Sequence, residues 1–149
     1  MHVRRRIVIA VAAALQPLLD NGIVTRIQPG RAAPQPVAST PYLLVYARTE
    51  QSRGISMDDD RRTQRALTLA IEAIFASPDD SDAGGDDIAL AIERAMAADP
   101  MLGGLIKDSE LTRSELDARV DGETRLGRVR LEYQIEYHTS AGNPDASLD

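Results

Sequence analysis

The chain has 149 residues, 43% hydrophobic and 27% charged, which fits one folded domain with one core and excludes a disordered chain. Cysteine is absent, so disulfides and thiolate metal sites are excluded; the count leaves the compartment open. One Phe, four Tyr and no Trp offer little for bases to stack on, and a net charge of -6 repels a phosphate backbone on average.

The chain begins with Arg4, Arg5 and Arg6 ahead of an apolar run from Ile7 to Leu15, an order also found in secretion signals. No clean small-residue cleavage site follows, and the run is far shorter than the roughly 20 residues that span a bilayer. No membrane partner is expected. Val3, Ile7, Val11, Leu15 and Leu18 recur at three- and four-residue steps, which predicts a helix over 3–20 with one apolar face. Pro17 should kink or loosen its last turn, and Asp20-Asn21-Gly22 should stop it.

Ile23 to Ile27 is a short strand candidate rich in β-branched residues. Pro29, Gly30, Pro34 and Pro36 predict a loop, and Pro41 leads into Tyr42-Leu43-Leu44-Val45-Tyr46, a central strand by length and bulk. Glu50 to Asp60 is polar, carries Gly54 and ends in three aspartates, which predicts a mobile loop. In Arg65 to Phe75, Leu67, Leu69 and Ile71 alternate with Thr68, Ala70 and Glu72; this period of two favours a strand over the competing helix.

Ser77 to Asp87 holds Pro78, Gly84, Gly85 and five aspartates and is expected as an acidic, solvated loop. Asp86 or Asp87 is placed to cap a helix whose stripe is Ile88, Ile92 and Met96 and which Pro100 ends. Met101 to Ile106 is a connector turning at Gly103-Gly104. Ser109–Val120 and Leu126–Thr139 then flank Asp121-Gly122-Glu123, a strong hairpin signal. In the second arm Val129, Leu131, Tyr133, Ile135 and Tyr137 occupy alternate positions, with Arg128, Arg130, Glu132, Gln134 and Glu136 between them. Residues 140–149 have no apolar pattern and are expected as a disordered tail. The resulting fold is α+β, ordered α-β-β-β-α-β-β: a mostly antiparallel sheet of about five strands with two helices on one face, over residues 1–139.

Chemistry is hard to assemble from these residues. His2 and His138 are the only histidines and lie far apart in sequence, whereas a metal site needs several closely spaced ligands. No Gly-x-Ser-x-Gly elbow or phosphate loop is present: Gly84-Gly85 follows an acidic run and precedes no lysine. The aspartates Asp58, Asp59, Asp60, Asp79, Asp80, Asp82, Asp86 and Asp87 invite Ca²⁺ or Mg²⁺, but EF-hand spacing is missing and a solvated loop accounts for them. No enzyme and no cofactor is expected. The arginines at 4–6, 61, 62 and 65 are candidates to pair with carboxylates of a neighbouring subunit, plain surface charge being the alternative. Acidic loops on one side and arginines on another suit head-to-tail packing that closes into a ring.

Taken in order, the N-terminal helix, the proline-led Pro41 to Tyr46 strand, the long Arg65 to Phe75 strand and the Asp86 to Pro100 helix form a pattern that continues through Leu102-Gly103-Gly104-Leu105. It closes with Leu131-Glu132-Tyr133-Gln134-Ile135-Glu136-Tyr137. This layout resembles the tail terminator (minor tail protein) family of long-tailed, lambda-like bacteriophages over about residues 1–139. The resemblance implies a virion protein of the tail and neck, assembled in the bacterial cytoplasm. Such proteins form hexameric rings, stop polymerisation of the tail tube protein and offer a surface to the head-completion proteins, while DNA passes through the bore without sequence-specific binding. The family's assembly loop corresponds to Gln51–Asp60, here longer and more acidic, with Asp58, Asp59 and Asp60 at its end and Arg61, Arg62 and Arg65 behind it; Arg4 and Arg5 complete the expected subunit and tube interface. A head–tail connector of the neck is the nearest alternative, and an ion- or small-ligand-binding domain is one from another class.

Overall fold

A computed structural model describes residues 1–30, 40–55, 61–77, 83–121 and 124–149. Helix α1 (Val3–Ala14) forms because Val3, Ile7, Val8 and Val11 share one buried face. His2 caps it: its Nδ1 accepts the Arg4 N–H at 3.0 Å. The helix breaks at Leu15, and α2 (Gln16–Asp20) starts afresh with Pro17 in its first turn, where the missing N–H costs nothing. Gly22, at φ 73°, then turns the chain, and the N–H groups of Ile23 and Val24 both donate to the Leu18 carbonyl.

Strands β1 (Arg26–Pro29) and β2 (Tyr42–Gly54) run parallel, Arg26 opposite Tyr42. Strand β3 (Arg62–Ala76), helix α3 (Ala83–Ala98), a 3-10 turn at Leu102–Gly104, β4 (Asp108–Asp121), β5 (Thr124–Ser140) and β6 (Asn143–Ser147) follow. The sheet order is β1-β2-β3-β5-β4, with β6 beside the end of β5; every pairing other than β1–β2 is antiparallel. The α+β class, the mostly antiparallel sheet and the order of elements agree with the sequence.

Leu43, Val45, Leu67, Leu69, Ile71, Phe75 and the odd residues Val129 to Tyr137 of β5 point to one face and meet Ile7, Val11, Leu15, Ile88, Ile92 and Met96 of the helices. Each such large side chain contributes about 1.5–3 kcal/mol by leaving water. Phe75 lies directly against Gly85 of α3 and Gly127 of β5: a Cβ at Gly85 would fall 2.7 Å from the ring, and one at Gly127 would overlap it. These two glycines let helix, ring and strand close onto one another.

Four expectations change. The first strand lies at 26–29, a few residues after Ile23–Ile27, because the Gly22 turn delays it. Residues 50–54, expected as the start of a mobile loop, extend β2 in register with β3 as far as Gly54 opposite Thr63. α3 starts at Ala83, so Asp86 sits inside its first turn as a favourable dipole partner and not as its cap. Residues 140–149, expected as a disordered tail, carry β6: the Asp149 carboxylate accepts the His138 N–H at 2.7 Å and meets His138 Nδ1 at 2.9 Å, while Leu148 N–H donates to the His138 carbonyl. The aspartates Asp58, Asp59, Asp60, Asp79, Asp80 and Asp82, and the hairpin residues Gly122 and Glu123, lie outside the described residues.

Candidate assembly surface

Alternation along β5 that buries Val129 to Tyr137 on the helix side sends Arg128, Arg130, Glu132, Gln134 and Glu136 to the other face of the sheet. Among the described residues no helix covers that face, yet most of its charges are paired. Arg128 bridges Asp117 of β4 and Glu72 of β3, the latter at 3.1 Å; Arg130 pairs with Glu115, Arg113 with Glu115, and Arg48 with Glu132. Tyr46 donates its hydroxyl to Glu72 at 3.1 Å, and burial followed by the Glu72 charge pushes the Tyr46 pKa up. Thr68 donates to Gln134 at 3.2 Å, and Gln64 to Glu136 at 2.5 Å. Four arginines thus meet four carboxylates across β2, β3, β5 and β4, and the face is a polar plate whose central charges are paired, with Asp108 and Glu110 exposed at its β4 edge.

A second polar node lies on the helix side, where α1 starts. Glu50 of β2, its side chain 8% exposed, accepts from Arg4 at 2.9 Å, from Arg65 at 3.3 Å and from the hydroxyl of Tyr137. Arg65 Nε also donates to Thr139 at 3.0 Å. Burial, then the Glu50 hydrogen bond, raises the Tyr137 pKa far above the ordinary phenol value, so the phenol keeps its proton.

The arginines expected at an interface therefore divide. Arg4 and Arg65 are brought together, but on Glu50 of their own chain. Arg5, Arg61 and Arg62 are exposed and form no ion pair with a described residue. Arg62 stands opposite Ser140 at the end of the sheet where β2 finishes, and the Arg61 carbonyl accepts the Ala141 N–H at 2.6 Å. Asp58, Asp59 and Asp60, expected at the same interface, fall outside the described residues. Exposed carboxylates collect elsewhere: Asp86, Asp87 and Glu93 on α3, and Asp108 and Glu110 on β4, form no ion pair with a described residue. Sequence reasoning passed over Glu50 and the polar plate. The alternating charges of residues 128–136 were the available signal for the plate; nothing local marked Glu50.

Among the described residues no three His, Asp or Glu side chains are grouped to hold a metal ion, and no helix is long and apolar enough to cross a membrane. No protein-family model matches the chain, and no curated protein does. Among solved structures, a chain of the virion of a native gene transfer agent particle is similar, with 14% identity and a TM-score of 0.41 over 84% of this chain and 92% of that chain.

Proposed function

We propose that this chain is a non-enzymatic virion protein that assembles head to tail into a ring, of six copies by its resemblance to tail terminators, and caps a phage tail tube. The observation that carries this reading is the separation of unpaired charge. Arg61 and Arg62, at the end of the sheet where β2 finishes, form no ion pair with a described residue, while the unpaired carboxylates Asp86, Asp87 and Glu93 (beside Arg94) lie on α3 and Asp108 and Glu110 on β4. Complementary patches at two different places on one surface make a heterologous contact, which repeats from copy to copy and closes when the rotation allows.

A cap stops growth by binding the tube end on one side and presenting nothing tube-like on the other. The plate of paired arginines and carboxylates suits an outward face: its central charges are already paired, so it offers little to a further tube subunit. On this reading the tube protein binds one face of the ring, head-completion proteins join the other, and DNA passes the bore. The test is an assembly reaction with Arg61→Glu plus Arg62→Glu, read by electron microscopy. Weakened rings and overlong tails support the reading; rings and tails of normal length count against those arginines.

A further inference from the structure

Strand β4 ends the sheet, and among the described residues it pairs with β5 alone. Its other edge presents a row of main-chain N–H and C=O groups, a template for pairing with another chain. Proteins commonly blunt such an edge with a bulge, a proline or a lysine. β4 has a bulge at Thr112, whose hydroxyl donates to the Glu132 carbonyl at 3.2 Å. Beyond it, the nine residues Arg113 to Asp121 keep unbroken register with β5 and include no proline, glycine or lysine. Leu116, within this stretch, is 48% exposed although it stands opposite Val129 of the core.

The order of charges along this stretch specifies what fits the edge. Positions 113, 115, 117, 119 and 121 share one face of the strand and read Arg, Glu, Asp, Arg, Asp. Laid antiparallel against itself about Asp117, the stretch sets Arg113 opposite Asp121 and Glu115 opposite Arg119, each twice. The one like pair, Asp117 on Asp117, is relieved because each Asp117 already pairs with Arg128 of its own chain. At the alternate positions Leu116 stands opposite Ala118 and Ser114 opposite Val120, so the exposed leucine gains cover. Sliding one copy by two residues sets Arg113 against Arg119 and Glu115 against Asp117, like charges throughout. Sliding it the other way opposes Glu115 to Asp121 and leaves Arg113 without a mate.

We infer that residues 113–121 of β4 pair with the same residues of a second copy about a two-fold axis, joining two sheets into one. Such a pairing makes about eight to ten main-chain hydrogen bonds. The contact goes beyond the ring reading and is independent of it: it is isologous, not head to tail, and uses neither Arg61 nor Arg62.

The chain contains no cysteine, so introduced thiols give a direct test. Asp117→Cys stands opposite its own counterpart at a Cα separation of about 4.5–5.5 Å, within disulfide reach, and mild oxidation should convert most of the protein to a covalent dimer. Arg113→Cys lies about 27 Å along the strand from its counterpart and should stay uncoupled. Leu116→Lys, at a position already exposed, should keep the circular dichroism of the parent chain and raise the concentration needed for dimers at least tenfold. Adding Arg61→Glu and Arg62→Glu should leave the Asp117→Cys dimer intact, so this contact and the ring fail separately. Coupling at 117 alone, lost when Leu116→Lys is added, supports the inference. Equal coupling at 113 and 117, or none at 117, overturns it, as does a different protein, tube protein included, occupying this edge in place of the second copy.

Discussion

Tyr137 of β5 donates its hydroxyl to Glu50 of β2 across the intervening strand β3, and the same carboxylate holds Arg4 of α1 and Arg65 of β3. One acid therefore ties the first turn of the N-terminal helix to three strands of the sheet. Removing it should be felt well beyond its own position. Glu50→Ala leaves the buried Tyr137 hydroxyl and the largely buried Arg65 without their acceptor and should cost about 3 kcal/mol of unfolding free energy in a urea titration. Glu50→Gln keeps an acceptor for Tyr137 and should cost less. Equal stability of the alanine variant and the parent would show that the node does not support the fold.

Gly127 should tolerate no side chain. A methyl group there meets the Phe75 ring, which also lies against Gly85. Gly127→Ala should therefore cost about 1–3 kcal/mol. Pairing it with Phe75→Leu should recover part of the loss, and a double-variant cycle measures that coupling. Full additivity would contradict the contact.

His2 makes the start of α1 sensitive to acid. Burial, then the nearby Arg4 charge, lowers its pKa from 6.5, and its Nδ1 must be unprotonated to accept the Arg4 N–H. The unfolded chain therefore binds this proton more readily than the folded one. The cap's contribution is present above pH 6.5 and is lost as pH falls through 6.5 toward the lower folded value. His2→Asn, which caps without titrating, should flatten that part of the pH–stability profile, and His2→Ala should cost about 1 kcal/mol at neutral pH. Identical profiles for the parent and His2→Asn between pH 8 and 5 would remove His2 from this role.

Asp149 anchors β6 through the His138 main chain and ring. Asp149→Ala should raise hydrogen exchange at the His138 and Leu148 amides by about tenfold while moving the global unfolding midpoint little. Unchanged exchange at both amides would show that the ladder holds β6 without the carboxylate.

Much of this architecture was legible where apolar residues repeat with a clear period. Val129 to Tyr137 announced β5, Ile88, Ile92 and Met96 announced α3, and Pro17 marked the α1–α2 break. What escaped was held by partners distant in sequence. Residues 50–54 carry no apolar alternation and are extended because β3 pairs with them; Gly84 and Gly85 look like loop residues but join a helix because Phe75 needs the space. The candidate interface was legible only in part for the same reason. Arg4 and Arg65 look like the other surface arginines until Glu50, 46 residues beyond Arg4, is folded beside them. Arg61 and Arg62 are left exposed, and with them the charge separation on which assembly is proposed to depend.

That dependence is best tested by the mass of the purified protein in solution, by light scattering and native mass spectrometry, alone and with assembled tail tube. The account predicts closed multi-copy rings, formed spontaneously or on the tube end. A chain that stays monomeric at every concentration, even when offered tube ends, would contradict it.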